Sequence, residues 1–491
     1  MYREPAAPKN SLRQQGGGRA ELLKRWAQGE FSIPVNTAQN SPAGRSQLAL
    51  SFEQEAHWRH AQAAPSDPGR NQYVLLRMDG ILDRGRLAES LQLLVTRHAI
   101  FRSSYPTVDG GPVVAVADES PVHLEIVELQ PGDPKCQLDE TRRICQAHAE
   151  IPFSIGQCPL YRIVLFRGDD QLHWLMFEVD HMIFDGWSLG LVFRDLQAAY
   201  QGEDMGPWPA PFYEFAAEEK ARTPQSIPEA VRARLGRILS APDPTPRIPT
   251  DWPRDASVQA TPGRREFLLC DETTQLLRTA AHRRGVTAHS LLMACFGLLI
   301  AKLSKSRSLL FYTVIANRGQ PAFQGTIGLF RALVLLRVEV DQIDGFDEHL
   351  ARVREELREA VRFASAYPAS LQIDAAVNQF GADSAELLRV GLVLQNYPKH
   401  AFALRGLRTT IEDVHFGGGG QDIAFIITDL DPLSGYVKYN TQLFRHETIG
   451  TIIDAFNELI VRALGADNPS LTYLLELHPA QTDCGLRPVQ K

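Results

Sequence analysis

The chain lacks the features that would commit it to a membrane, a nucleic acid or a disulfide framework. No run reaches the roughly 18 apolar residues that a membrane-spanning helix needs. The N-terminal M-Y-R-E-P-A-A-P-K-N has no apolar core of the signal-peptide kind. These two absences predict a cytoplasmic protein with no membrane partner. Cysteine is scarce, at 6 in 491 residues, and Cys136, Cys145, Cys158, Cys270, Cys295 and Cys484 show no C-x-x-C spacing. The expectation is therefore buried or incidental thiols in a reducing compartment and no metal site. No basic block stands out and the formal net charge is -7, which speaks against a nucleic-acid partner. What remains is ordinary for a globular chain with sizeable cores, 44% hydrophobic and 22% charged.

Periodicity gives mixed α and β structure in two halves. Residues 1–44 are polar and glycine-rich, a disordered tail or a docking segment, with a short helix at Ala20–Gln28. Leu82, Leu87, Leu91, Leu94 and Val95 recur at helical spacing, and Asp139–Ala149 is helical. Tyr161–Phe166 and Leu172–Val179 alternate as a hairpin pair. Seven prolines or glycines in Ala241–Gly263 mark a semi-rigid crossover. The layout then repeats. Strands fall at Arg265–Cys270, Ser308–Ile315, Leu333–Val340, Leu388–Asn396, Ile423–Leu430 and Tyr436–Asn440, and helices at Asp271–Gly285, Thr287–Leu303, Phe346–Phe363 and Glu447–Leu464. The division that follows is 1–44, a first lobe at 45–220, a proline-rich linker at 221–262, a second lobe at 263–466 and a tail at 467–491. A site between two such halves is expected, because clefts between domains commonly hold ligands.

The stretch that gathers chemistry is Phe177–Gly190, F-E-V-D-H-M-I-F-D-G-W-S-L-G. His181 stands at the end of an apolar alternating run, with Asp180 before it and Asp185, Gly186, Trp187 and Ser188 after it. With an unperturbed pKa of about 6.5, an imidazole there can be a neutral base. Spacing alone fits equally a strand-end histidine that caps a turn.

The surrounding landmarks are more specific. Ser51, Phe52, Gln54 and Trp58, then Arg97, His98, Arg102 and Tyr105, then Pro152, Phe153, Pro159, Leu160 and Arg162 precede V-D-H-M-I-F-D-G-W-S in order. Tyr213, Phe215 and Ala216, I-P-T-D-W-P-R at Ile248–Arg254, Ala316-Asn317-Arg318, Ile327-Gly328 with Phe330, Gln395-Asn396, and Tyr439-Asn440 with Leu443-Phe444 follow. This series, over about residues 46–466, resembles the condensation-domain family of nonribosomal peptide synthesis, within the chloramphenicol-acetyltransferase-like superfamily. The resemblance implies an α+β fold of two acetyltransferase-like lobes in a V-shaped pseudo-dimer, with a tunnel between them. It implies an acyltransferase of antibiotic or other secondary metabolism. Such an enzyme moves an acyl or peptidyl group from a carrier-protein phosphopantetheine thioester to an amine or hydroxyl, borne by a small molecule or a second carrier. It binds no cofactor of its own, because its substrates arrive on phosphopantetheine arms. With no adenylation or carrier segment resembled in these 491 residues, a free-standing monomer served by a carrier protein in trans is expected.

The same resemblance assigns roles. His181 is the base, the group that orients the nucleophile, or the group that steadies the tetrahedral intermediate. Gly186 offers its N–H to the developing oxyanion. Asp185 pairs with Arg318 from the other lobe, a geometrically specific bidentate pair. Trp187 and Ser188 either pack and cap the following helix or line the tunnel, and Asn317 and Asn396 either line the tunnel or are ordinary turn residues.

Three departures stand out. Asp180 occupies the place of the family's first histidine. Either it raises the pKa of the imidazole beside it, as a nearby carboxylate does, or, more simply, it points to the opposite strand face and serves structure. Asp180, Asp185 and Ser188 also fit D-x-x-x-x-D-x-x-S, the pattern of the sister heterocyclisation domains, which close a ring after condensing. Arg331-Ala332 replaces the usual V-N, and A-Y-P-A-S-L-Q-I at Ala366–Ile373 replaces the sixth motif. These changes leave open an unusual substrate, or a degenerate domain that only binds a carrier protein.

Overall fold

A computed structural model describes residues 48–240, 245–255, 260–341, 344–395, 402–417, 420–429 and 432–476. The N-terminal segment with its expected helix, Asn396, and the end of the chain after residue 476 lie outside these residues.

The first half opens with α1 (Phe52–Ala63), which starts with a capping box: Ser51 accepts from the Gln54 amide while the Gln54 side chain accepts from Ser51. Next come β1 (Asn71–Asp79), α2 (Arg84–Arg97), β2 (Leu124–Glu128), α3 (Pro134–Ala149), β3 (Tyr161–Arg167) and β4 (Leu172–Asp180). α4 (Gly186–Gln201), α5 (Phe212–Arg222) and α6 (Glu229–Leu239) follow. The second half holds β5 (Pro262–Leu268), α7 (Asp271–Arg284), α8 (Ala288–Ser304), β6 (Ser308–Ile315), β7 (Ala332–Glu339), α9 (Phe346–Ala366) and α10 (Ala369–Phe380). It continues with β8 (Val390–Gln395), β9 (Arg408–Phe416), β10 (Ile423–Thr428), β11 (Ser434–Asn440) and α11 (His446–Gly465).

The strands make two main sheets, ordered β9-β1-β4-β3-β2 and β7-β6-β8-β10-β11-β5. In the first, β4 pairs antiparallel with both β1 and β3, so it is central. All nine of its residues are buried, as expected of a strand covered on both faces. Alternation sorts its side chains. Leu175, Phe177 and Val179 join the core under α2 and α4, and Trp174 and Met176 join the core under α3. The second sheet is likewise two-faced. Phe311 and Phe425 pack with α8 and α11, while Leu310 and Tyr312 face Val231 and Leu235 of α6 and Ala376 of α10.

Three boundaries differ from those expected. Strand β9 comes from within the second half, yet it pairs antiparallel with β1 in the first sheet. No alternation marks R-T-T-I-E-D-V-H-F, because β9 is an edge strand whose partner is distant in sequence. Residues 221–262 are not all linker: Val231, Leu235 and Ile238 of α6 are buried. The expected tail begins with a packed turn, Leu471–Leu475, whose Leu471 and Leu474 are buried. Helix α8 is apolar nearly all round and Leu291–Ile300 is wholly buried, so it is a core helix. Among the described residues no single helix is long and apolar enough to cross a membrane.

Candidate active site

β4 delivers His181. The strand ends at Asp180, a single 3-10 turn carries His181–Ile183, and α4 begins at Gly186. Two carboxylates hold this turn. Asp180 caps it by accepting from the Met182 amide at 2.8 Å, and its other oxygen meets Arg70 Nε at 3.2 Å. Arg70 is 4% exposed and Asp180 fully buried, so this is an internal ion pair. Burial, opposed by Arg70, pushes the Asp180 carboxyl above its usual range.

Asp185 is the N-cap of α4. It accepts from the Ser188 amide (2.9 Å), the Ser188 hydroxyl (2.7 Å), the Phe330 amide (3.0 Å) and Arg318. Arg318 does not present the expected two-nitrogen fork. Its Nη2 straddles both Asp185 oxygens at 3.0 and 3.2 Å, while Nη1 donates to the Phe323 and Thr326 carbonyls. Ser188 lines no tunnel. It is buried, gives its one hydroxyl hydrogen to Asp185 and accepts from the Gly328 amide at 3.1 Å. Asn317 is a left-handed turn residue (φ 51°) and is absent from the cavity wall, where Ala316 stands instead. Trp187 is on that wall, with its indole N–H donating to the Gln324 carbonyl at 3.2 Å.

The cavity is about 540 Å³ and is bounded by both halves: His57, His181 and Gly186 from the first, and Tyr312, Arg331 and Lys438 from the second. His181 Nδ1 lies 2.6 Å from the Phe184 carbonyl oxygen. A carbonyl only accepts, so Nδ1 carries the hydrogen and Nε2 carries the lone pair. That lone pair is engaged: Arg331 Nε donates to it at 2.7 Å. Arg331 Nη2 also reaches His57 Nε2 at 3.3 Å, and the two imidazoles meet edge-on with centroids 5.1 Å apart.

This corrects the expected electrostatics. Asp180 does not raise the His181 pKa, because its charge is turned toward Arg70. Burial, then the Arg331 guanidinium, then His57 hold His181 well below its usual value. The same burial and Arg331 depress His57. Lys438, half-buried on the cavity wall, is brought down to about 8 by desolvation and by Arg264. The chemical content is a neutral imidazole with a fixed tautomer, its basic nitrogen beside a cation.

His57 and Arg331 were not among the residues singled out from the sequence. The only signal for Arg331 was its replacement of the usual motif residue, and His57 sat unremarked inside the first motif. Of the residues that were singled out, His181, Asp185, Gly186 and Trp187 come together at the cavity.

The condensation-domain family model matches residues 45–476. Curated relatives include phosphinothricin tripeptide synthetase PhsC of Streptomyces viridochromogenes, 29% identical over 431 residues, covering 86% of this chain and 39% of that protein. Chondramide synthase cmdD of Chondromyces crocatus is 28% identical over 428 residues, covering 86% of this chain and 11% of that protein. The chain thus spans well under half the length of these relatives. Among solved structures, the X-domain from teicoplanin biosynthesis superposes with a TM-score of 0.73 at 22% identity, covering 88% of this chain and 98% of that one. The first condensation domain of the calcium-dependent antibiotic synthetase, in complex with a substrate analogue, gives a TM-score of 0.73 at 18% identity, covering 87% and 99%. These likenesses establish a shared α+β fold.

Proposed function

Since the chain belongs to the condensation-domain family, we propose that it joins an acyl or peptidyl group to an amine or hydroxyl acceptor. The donor is a phosphopantetheine thioester on a carrier protein, and the product is an amide or ester in natural-product assembly. The observation that carries this reading is His181 Nε2, a lone pair of fixed orientation in the wall of the cavity shared by both halves.

Such a group can take the proton of the attacking nitrogen or oxygen as it bonds to the thioester carbonyl carbon. The carbon–sulfur bond then breaks, and the proton passes from Nε2 to the departing thiolate. The N–H of Gly186, the first residue of α4, has no acceptor within its helix and is free to meet the oxyanion. Asp180 and Asp185 act as positioning residues, one capping the turn that bears His181 and the other tying α4 to the second half. A thioester is already activated, so no acyl-enzyme is needed.

The test uses a phosphopantetheine carrier loaded with a panel of acyl groups, with amine and alcohol acceptors and mass-spectrometric detection. His181→Ala is expected to lower the rate about 10²- to 10⁴-fold. An unchanged rate ends the assignment of the base. One observation favours a second reading, a domain that binds a carrier without turnover: Arg331 sits on Nε2 where a nucleophile would. Product above the uncatalysed background excludes it. Heterocyclisation gains no comparable support, because Asp180 is committed to Arg70 and Ser188 to Gly328.

A further inference from the structure

Arg331 is a cation placed against two neutral imidazoles. Its Nε and Nη2 go to His181 and His57, and among the described residues no carboxylate oxygen lies within 4.0 Å of its guanidinium. Glu53 is the acid that feels its field, and burial pushes that carboxyl up toward its neutral form. A charge held in a partly desolvated wall without a counter-ion is costly, and a neutral ring nitrogen is a weak substitute for an anion. The wall therefore offers an anion site, and it is centred on the atom that the reaction needs free.

We infer that Arg331 binds the carboxylate of the acceptor, so that the acceptor is a free amino acid or a similar amine bearing its own carboxylate, not one tethered as a thioester. This rests on the acyl-transfer reading above and names the acceptor class for it. The spacing decides between near and remote carboxylates. Arg331 Nε is 2.7 Å from His181 Nε2, and by standard bond lengths the nitrogen and a carboxylate oxygen of an α-amino acid stand about 3 Å apart. An α-amino acid can thus lie alongside the pair, its nitrogen facing Nε2 and its carboxylate facing the guanidinium, and enter as the guanidinium swings back. A carboxylate makes charge-assisted and often bidentate bonds to arginine, stronger than a bond to a neutral imidazole. It consequently draws the guanidinium off Nε2. Binding the acceptor exposes the lone pair, and it also offsets the positive field that depresses His181. The base is uncovered only when its substrate is present.

Calorimetric titration of the full chain with a panel of free amino acids and their primary amides tests this without turnover. The acids are expected to bind at least tenfold more tightly than the matching amides. Arg331→Gln is expected to bring the two within about twofold, and Arg331→Lys to keep part of the preference. Equal binding of acid and amide by the natural protein overturns the inference, whether or not the variants fold. So does a preference that survives in Arg331→Gln. In turnover, a preference that follows the donor, with a succinyl-loaded carrier favoured over a butyryl-loaded one and the acceptor indifferent, overturns the assignment to the acceptor. Acid-selective binding with no product from any donor leaves the inference standing and removes acyl transfer. Product formed equally from acid and amide does the reverse.

Discussion

His181 is set by two neighbours of opposite demand: the Phe184 carbonyl takes a hydrogen from Nδ1, and Arg331 gives one to Nε2. Replacing Arg331 by valine, the residue usual at that motif position, removes the donor and the cation together. The His181 pKa is expected to rise but to stay below that of a free imidazole, since burial and His57 remain, measured by nuclear magnetic resonance titration of the imidazole. No movement would show that burial alone depresses it. Asp180 acts on the turn by other means. Asp180→Ala leaves Arg70 buried without its partner and is expected to cost about 3–5 kcal/mol of stability, read from denaturant midpoints. Asp180 and His181 were legible as a motif because they are adjacent in sequence. Arg331 and His57 were not, because they lie 150 and 124 residues away from His181 (331 − 181 and 181 − 57) and meet it only through the fold.

At the scale of elements, α4 and the segment from Arg318 to Arg331 form one clasp across the two halves. Asp185 serves it twice, as helix cap and as partner of Arg318. Asp185→Ala should therefore destabilise more than an ordinary cap loss of about 1 kcal/mol, approaching the 3–5 kcal/mol typical of a broken buried pair. It should also depress turnover by loosening the His181 turn. Ser188→Ala strips the buried Gly328 amide of its acceptor and is expected to cost about 1–3 kcal/mol, read in the same unfolding experiment. Gly328 has no room for a side chain, since an added Cβ would stand 2.0 Å from a Phe212 ring carbon. Gly328→Ala should accordingly pry the segment from α5 and lower the melting temperature. The Asp185–Arg318 pairing was open to the sequence through motif resemblance. The place of Ser188 in the clasp and the transfer of β9 into the first sheet were not, because both depend on where distant backbone atoms come to lie.

Across the whole molecule, burial governs the titration of the histidines. Burial holds His289, His349 and His415 at about 4 and His148 at about 3. An unfolded chain protonates these groups near 6.5. Below that pH the unfolded state binds protons that the folded state refuses, so stability is full above about 6.5 and falls as the pH drops toward 4. Each group contributes about 1.4 kcal/mol per pH unit. Glu125 and Glu178, pushed up to about 7 by burial, pull the other way together with Glu53, Asp180, Glu219 and Asp454, but among the described residues these six carboxyls are fewer than the eight histidines that burial lowers. Denaturant midpoints at pH 7 and pH 5 should therefore differ, with the acid side weaker. His349→Gln should flatten the slope by about one proton, and an unchanged slope would contradict the assignment.

The sequence by itself determined the local and the ordered. Helical spacing placed α2, α8 and α11. Alternation placed β3, β4 and β6. The series of motifs named the family and pointed to His181, because each is written in neighbouring residues. Tertiary structure alone decided what happens at His181. It turned the charge of Asp180 toward Arg70, withdrew Ser188 from the cavity, and brought Arg331 and His57 onto the imidazole from 150 and 124 residues away. A pKa and a hydrogen bond depend on distance and desolvation, and neither is fixed by spacing along a chain until the chain has folded.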